Sequence, residues 1–130
     1  MDWQVYLEKA KGNLKVAQLA LDAGEYDASV SRAYYAVFQA ELAALLKLTD
    51  YRRKGKHWDH GDVQAELSRR LIRERKVLPS HLADVPESLM YWRHIADYDA
   101  DRVSAKTARR FFAKARDFVE TIETKLGGAP

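Results

Sequence analysis

The stretch ASVSRAYYAVFQAELAALLKL, residues 28–48, decides the fold because it is apolar on almost every side. Between Ala28 and Leu48 only Arg32, Glu41 and Lys47 carry a charge. A long run rich in alanine and leucine, without glycine or proline, predicts an α-helix. A helix that is apolar all round must be covered, either by its own bundle or by a second subunit.

Helical periodicity in the rest of the sequence predicts four more helices around this central one. Asp2 is the expected N-cap of the first helix, which ends near Gly24, and Asp27 is the expected N-cap of the central helix. The third helix is predicted over roughly residues 62–75. Its four arginines are expected to point away from a narrow apolar stripe.

Capping residues also predict where the last two helices begin. Asp84 and Glu87 have the spacing of a capping box for the fourth helix, and Ser104 is the expected N-cap of the fifth. The Gly127–Gly128 pair is expected to end the fifth helix. The sequence therefore predicts an all-α fold, a five-helix up-and-down bundle that forms one domain over residues 1–130.

Composition excludes several classes of site. The chain has no cysteine, which removes disulfides, thiolate metal sites and cysteine nucleophiles. Its start, MDWQVYLEK, lacks the basic and then apolar pattern of a secretory signal. No apolar run approaches the ~20 residues of a membrane span. We expect a cytoplasmic protein that uses no cofactor, no metal and no membrane.

Positive charge is concentrated in the middle of the chain. Residues 52–76 hold 9 basic and 4 acidic residues, a net charge of +5, whereas the whole chain carries +3. A local basic patch can attract nucleic-acid phosphates. A solvated helix face explains the same pattern, so both interpretations stay open.

A second polar region, YWRHIADYDADRVS at residues 91–104, offers candidate binding residues. Arg93 and Asp97 are four apart and share one face of the fourth helix. We predict a polar cleft in which they meet the central helix; its members are Arg32, Tyr35, Arg93, Asp97 and Tyr98. The alternative is an intrahelical Arg93–Asp97 ion pair worth ~0.3–0.5 kcal/mol and no ligand.

The loop RRKGKHWDHGD, residues 52–62, contains His57 and His60 on either side of Trp58. A metal site is not expected, because these residues lack the fixed spacing of a ligand set. Interleaved aromatic and basic residues can hold nucleic acid by stacking and phosphate contacts. A connector that packs Trp58 onto the bundle is the alternative.

Three segments together resemble the HEPN (higher eukaryotes and prokaryotes nucleotide-binding) domain family, most closely its small stand-alone prokaryotic branch. They are ASVSRAYYAVFQAELAAL in the second helix, RHIADYD in the fourth and SAKTARRFFAKARDFVETIE in the fifth. The resemblance implies a helical bundle that dimerises through its long central helices. It also implies a small nucleotidyltransferase as partner in a toxin–antitoxin pair.

Many HEPN proteins are metal-independent ribonucleases with an R-x(4–6)-H motif. Arg93 stands at the arginine position, but Tyr98, Asp99 and Ala100 fill the places where the histidine would be. We therefore expect a module that binds a nucleotide or RNA. The first alternative is an atypical endoribonuclease in which His57 or His60 acts with Arg93. The second is a structural dimerisation module without a ligand.

Overall fold

The computed structural model describes residues 2–127 and shows five α-helices and no β-strand in that range. The helices are α1 (Trp3–Asp22), α2 (Tyr26–Leu48), α3 (His60–Leu67), α4 (Val85–Tyr98) and α5 (Ala105–Lys125). A π-helical turn, Ser68–Glu74, continues α3, and a short 3₁₀ turn, Ser80–Leu82, precedes α4. The predicted all-α, five-helix bundle is confirmed. Gly128 lies outside the described residues.

Helix α2 is the centre of the bundle, and its own chain covers it. α1, α3, α4 and α5 all pack against it, and within Tyr26–Leu48 only Ala28 and Lys47 are exposed. The sequence left open whether the bundle itself or a second subunit covers this helix, and the structure shows that the bundle does. α2 therefore offers no free apolar face to a second subunit, and dimerisation through this helix is not supported.

The core is built from the apolar faces of all five helices. Its largest fully buried side chains include Leu42 and Leu45 of α2, Leu89 of α4 and Phe118 and Ile122 of α5. Each such side chain contributes about 1.5–3 kcal/mol through burial. Among residues 2–127, no helix combines the length and the apolar character needed to cross a membrane.

Two of the predicted helix caps are confirmed. The Asp2 carboxylate accepts the Gln4 N–H at 3.1 Å, and the Ser104 hydroxyl oxygen accepts the Thr107 N–H, also at 3.1 Å. Each cap satisfies one of the backbone donors that a helix leaves unpaired at its start. α1 ends at Asp22, close to Gly24, where φ is +78°.

The prediction for Asp27 is wrong, whereas Asp84 holds its predicted N-cap position without the expected side-chain hydrogen bond. α2 starts at Tyr26, before Asp27, whose carboxylate instead accepts the Val103 N–H at 2.8 Å. This contact ties the first turn of α2 to the segment that enters α5. Asp84 does precede α4, but its side chain makes no capping hydrogen bond. Asp27 thus shows that a distant backbone donor can take a carboxylate that local spacing assigns to a helix cap.

The third helix differs from its prediction over roughly residues 62–75. It starts at His60, where Asp59 supplies the N-cap by accepting the Asp62 N–H at 3.0 Å. After Leu67 the hydrogen bonds widen to the π pattern, in which each N–H reaches the carbonyl five residues back. This change of pitch brings side chains together that an α-helix would separate.

Candidate functional site

Arg93 of α4 lies against the two adjacent tyrosines of α2. Its guanidinium carbon is 5.0 Å from the centre of the Tyr34 ring and 5.8 Å from that of the Tyr35 ring. Only 16% of the Arg93 side chain is exposed, and its Nε is buried without a hydrogen-bond partner. Two aromatic faces thus stabilise the cation, while part of its hydrogen-bonding capacity is unused.

The carboxylate of Asp97 is the nearest acidic partner of Arg93. The two side chains are 3.4 Å apart, and Asp97 also accepts a 3.4 Å hydrogen bond from the buried Ser31 hydroxyl. Both distances are long for hydrogen bonds of this kind. The predicted intrahelical ion pair is present, but it leaves Asp97 free to exchange partners.

The charge on Arg93 is favoured despite its burial. Loss of solvent opposes the charge, yet the pKa of Arg93 lies above its usual value because the phenols of Tyr35 and Tyr34 favour the cation. The hydroxyl of Tyr98 and the carboxylate of Asp97 act in the same direction. Tyr98 itself is 70% exposed at the end of α4. Arg93 is therefore a permanent cation at the edge of the core.

His60 joins the same cluster from α3. Its Nδ1 is 2.5 Å from the Tyr34 hydroxyl, and its ring stacks on Phe38 with centroids 3.8 Å apart. Tyr34 is buried, and burial raises the pKa of its phenol, with Glu41 adding to the rise. Tyr34 thus contacts both His60 and Arg93 and links the third helix to the fourth.

The imidazole of His60 is neutral at physiological pH. Burial lowers its pKa below the usual 6.5, and the nearby Arg93 cation lowers it further, although Asp59 acts in the opposite direction. A neutral imidazole beside a fixed cation can accept a proton or hold a polar ligand. This is the combination that acid–base chemistry on a phosphodiester needs.

Arg32 is only loosely connected to this cluster. Its guanidinium donates to the Asn13 side chain of α1 at 3.2 Å and lies 5.1 Å from the centre of the Tyr35 ring. Tyr35 therefore contacts both arginines. Within residues 2–127, no hydrogen bond or ion pair connects Arg32 to Arg93 or Asp97. The predicted group is brought together except that Arg32 faces α1.

The basic loop before α3 divides into a docked part and an exposed part. Trp58 donates to the Tyr6 hydroxyl at 3.3 Å and packs on the Tyr51 ring, so it is a structural anchor. His57 is exposed, and no hydrogen bond of the described residues involves it. The basic residues of the loop are all exposed; they are Arg52, Arg53, Lys54 and Lys56. Of the two loop histidines, only His60 reaches the site.

Among the described residues, Glu41 of α2 is the only charged side chain that is buried. It is 2% exposed, its Oε2 has no hydrogen-bond partner, and burial raises its pKa well above the usual range. Within residues 2–127, no hydrogen bond or ion pair connects Glu41 to Arg93. Burial therefore favours the neutral form of the Glu41 carboxyl group, which lies on α2 seven residues after Tyr34.

Sequence analysis missed Ser31, Phe38 and Tyr34 as parts of the site. Tyr34 is buried like a core residue, but its hydroxyl contacts His60. The available signal was the spacing of four between Tyr34 and Phe38, which gives His60 a continuous aromatic surface. In the part of the chain that the structure describes, no cluster of three side chains could hold a metal ion.

Comparison with known families gives one clear result. The model of the HEPN domain matches residues 3–125, which is almost the whole chain and contains every residue of the site. A search of curated proteins finds no match.

Proposed function

The chain belongs to the HEPN domain family, and on that premise we propose that it binds a nucleotide or a nucleic acid through Arg93. The observation that carries this proposal is that the Arg93 guanidinium has a hydrogen-bond donor without an acceptor among the described residues. It is largely removed from water, and within residues 2–127 its Nε has no acceptor and its nearest carboxylate is 3.4 Å away. A phosphate oxygen would supply the missing charge and acceptors.

Neighbouring residues suit such a ligand. The half-buried Tyr35 and the exposed Tyr98 offer aromatic surface and hydroxyl groups on either side of Arg93. The four exposed basic residues at positions 52–56 lie in the loop that leads to His60, and their charge would attract a polyanion toward the site. Arginine binds phosphate with two parallel hydrogen bonds, which lysine cannot do.

The proposal includes partners. A small nucleotidyltransferase, acting with this chain as a toxin–antitoxin pair, is proposed on the family resemblance alone. A homodimer is proposed because HEPN domains often dimerise. Because α2 is covered by its own chain, the dimer would use another surface.

A binding titration tests the proposal. We would measure fluorescence polarisation of a labelled single-stranded RNA and of a labelled adenine nucleotide with wild type and Arg93→Gln. Loss of the phosphate contact should weaken binding about tenfold or more. The control is Arg109→Gln, which removes the same charge from an exposed position on α5. Equal losses of affinity in the two variants would show that only the overall charge matters, which would contradict the proposal.

The position of His60 favours a second candidate, a metal-independent endoribonuclease. In the tautomer whose Nδ1–H donates to the Tyr34 oxygen, Nε2 carries a free lone pair. Nε2 could then take the proton of an RNA 2′-hydroxyl as its oxygen attacks the adjacent phosphorus. Arg93 would stabilise the added negative charge. The products would be a 2′,3′-cyclic phosphate and a 5′-hydroxyl, whose oxygen takes a proton from solvent.

Incubation of RNA with purified protein in excess chelator tests this second candidate. We expect cleavage by wild type, loss of cleavage in His60→Gln and in Arg93→Gln, and full activity in His57→Gln. Cleavage that survives both His60→Gln and Arg93→Gln would reject this site as the catalyst. If neither binding nor cleavage depends on Arg93, the third alternative, a structural dimerisation module, is the one that remains.

A further inference from the structure

A second cluster of arginines lies away from Arg93, where α2 ends beside the π-helical turn. Three guanidiniums line an open polar cavity of about 430 Å³. The residues that line this arginine cavity are Thr49, Asp50, Arg69, Arg70, Glu74 and Arg75. Neither the sequence patterns nor the proposed function explains why three arginines converge there.

The π-helical turn is the reason for the convergence. In an α-helix, residues five apart are rotated by about 140° and point in different directions. Here the Arg75 N–H donates to the Arg70 carbonyl, five residues back, at 3.1 Å, so these two residues are stacked one turn apart. Arg69 and Glu74 are likewise five apart and form a 3.1 Å ion pair. Such turns are often found at functional sites.

Three inner hydrogen bonds hold the guanidiniums in place. Glu66, whose side chain is only 20% exposed, accepts from Arg69 at 2.6 Å and from Arg70 at 2.8 Å. Arg75 donates to the carbonyl of Leu48 at the end of α2. The arginines are therefore fixed from below before any ligand arrives, which reduces the entropy lost on binding.

The outer partners of these arginines are exposed carboxylates. Asp50 contacts Arg70 at 2.6 Å, yet 92% of its side chain is exposed. Glu74 contacts Arg69 and is 57% exposed. Exposed ion pairs of this kind contribute little to stability, so an incoming anion can displace both carboxylates into solvent. Three guanidiniums and the fixed Glu66 would then leave two uncompensated positive charges.

We propose that the arginine cavity binds a terminal phosphate monoester, with Asp50 and Glu74 occupying the anion position until the ligand displaces them. A monoester carries close to two negative charges at neutral pH and matches the charge left when both carboxylates leave. A free nucleotide and the phosphorylated 5′ end of an RNA share this chemistry. The site does not depend on Arg93.

Calorimetric titration with inorganic phosphate at low salt tests the cavity directly. We expect a site in the arginine cavity that Arg75→Gln weakens about tenfold. Asp50→Asn should strengthen binding several-fold, because it removes the competing carboxylate from an exposed position where folding is unaffected. Arg93→Gln should leave phosphate binding in the arginine cavity unchanged. A failure of the cavity proposal can therefore be told apart from a failure of the proposed function.

The matched control is Arg73→Gln, which removes the same charge two residues earlier, from a residue inside the π-helical turn and outside the cavity lining. Equal weakening by Arg73→Gln and Arg75→Gln, or no phosphate binding by either wild type or Asp50→Asn, would overturn the proposal. Titrations with AMP and with paired 5′-phosphorylated and 5′-hydroxyl RNA oligonucleotides then identify the source of the phosphate. Binding of AMP indicates a nucleotide, and preference for the phosphorylated RNA over AMP indicates an RNA end.

Discussion

Arg93 and His60 both contact the phenol of Tyr34, and this shared contact defines the chemistry of the candidate site. One residue is a permanent cation and the other is a neutral imidazole. Their protonation states follow from burial and from each other's proximity. Individual substitutions should therefore change pH dependence as well as binding.

His60 should make the stability of the fold depend on pH in the mildly acidic range. Its folded-state pKa lies below the usual 6.5, so its contribution is complete above that pH and is lost as the pH falls toward the folded-state value. We expect the melting temperature of wild type to fall more between pH 7.5 and pH 5 than that of His60→Gln. The exposed His57→Gln should keep the wild-type profile. Identical profiles for wild type and His60→Gln would show that the imidazole is not held neutral.

Glu41 should have the opposite pH dependence. Burial raises its folded-state pKa, so stability is complete at low pH and decreases as the pH rises from about 4.5 toward that value. Glu41→Gln removes the ionisable group and should be more stable than wild type at pH 8 by about 1–3 kcal/mol. Urea denaturation at pH 5 and pH 8, with the exposed Glu120→Gln as control, measures this. Destabilisation at pH 8 would reveal a partner for the carboxylate.

The sequence was sufficient to place Arg93 opposite the tyrosines, because spacing along two helices determines which residues share a face. It could not distinguish His57 from His60. The Tyr34–His60 contact joins residues that are 26 apart and depends on where α3 begins. Asp59 caps α3 so that His60 occupies the first position of the helix, and no periodic pattern reports that start.

At the scale of the helices, the starts, ends and connections differ from the prediction more than the helix interiors do. Asp27 has the local signature of a cap, yet its carboxylate binds a backbone N–H 76 residues away. The predicted α-helix at 62–75 becomes π-helical after Leu67, and it ends where the carbonyl of Leu71 accepts from both Val77 and Leu78 and Lys76 takes a φ of 52°. A long-range contact such as that between Asp27 and Val103 cannot be read from a local sequence pattern.

The Asp27 contact should be measurable as stability. Asp27→Ala leaves the partly buried Val103 N–H without its acceptor and should cost about 1–2 kcal/mol in unfolding free energy. Glu25→Ala is the control, because Glu25 is exposed just before α2 and its side chain makes no capping hydrogen bond. Denaturant titration gives both values. A loss of equal size in the two variants would assign the effect to charge near the helix start instead.

For the bundle as a unit, the apolar character of α2 determines the arrangement, and the sequence predicted it well. A helix with three charged residues between positions 28 and 48 has to be central, and it is. It is harder to predict from the sequence which surface would form an interface between two copies of the chain. The largest exposed apolar side chains of the described residues lie on α1 and α4, with Tyr91 and Tyr98 on α4 exposed by 62% and 70%.

If the chain forms the proposed homodimer, the face of α4 is the surface we expect it to use. Tyr91→Glu places a charge on that face and should shift the protein from dimer to monomer in analytical ultracentrifugation. Leu19→Glu alters an equally exposed position on α1 and should leave the dimer intact. Dissociation by Leu19→Glu alone would place the interface on α1.

The most direct test of the account follows the Arg93 side chain itself during ligand binding. Nuclear magnetic resonance can record the arginine Nε–H signals and the His60 ring signals while a single-stranded RNA oligonucleotide is added. We predict that the Arg93 and His60 signals move together and saturate with one dissociation constant, while the exposed Arg109 signal stays in place. Saturable RNA binding that leaves the Arg93 signal unmoved would contradict the central claim.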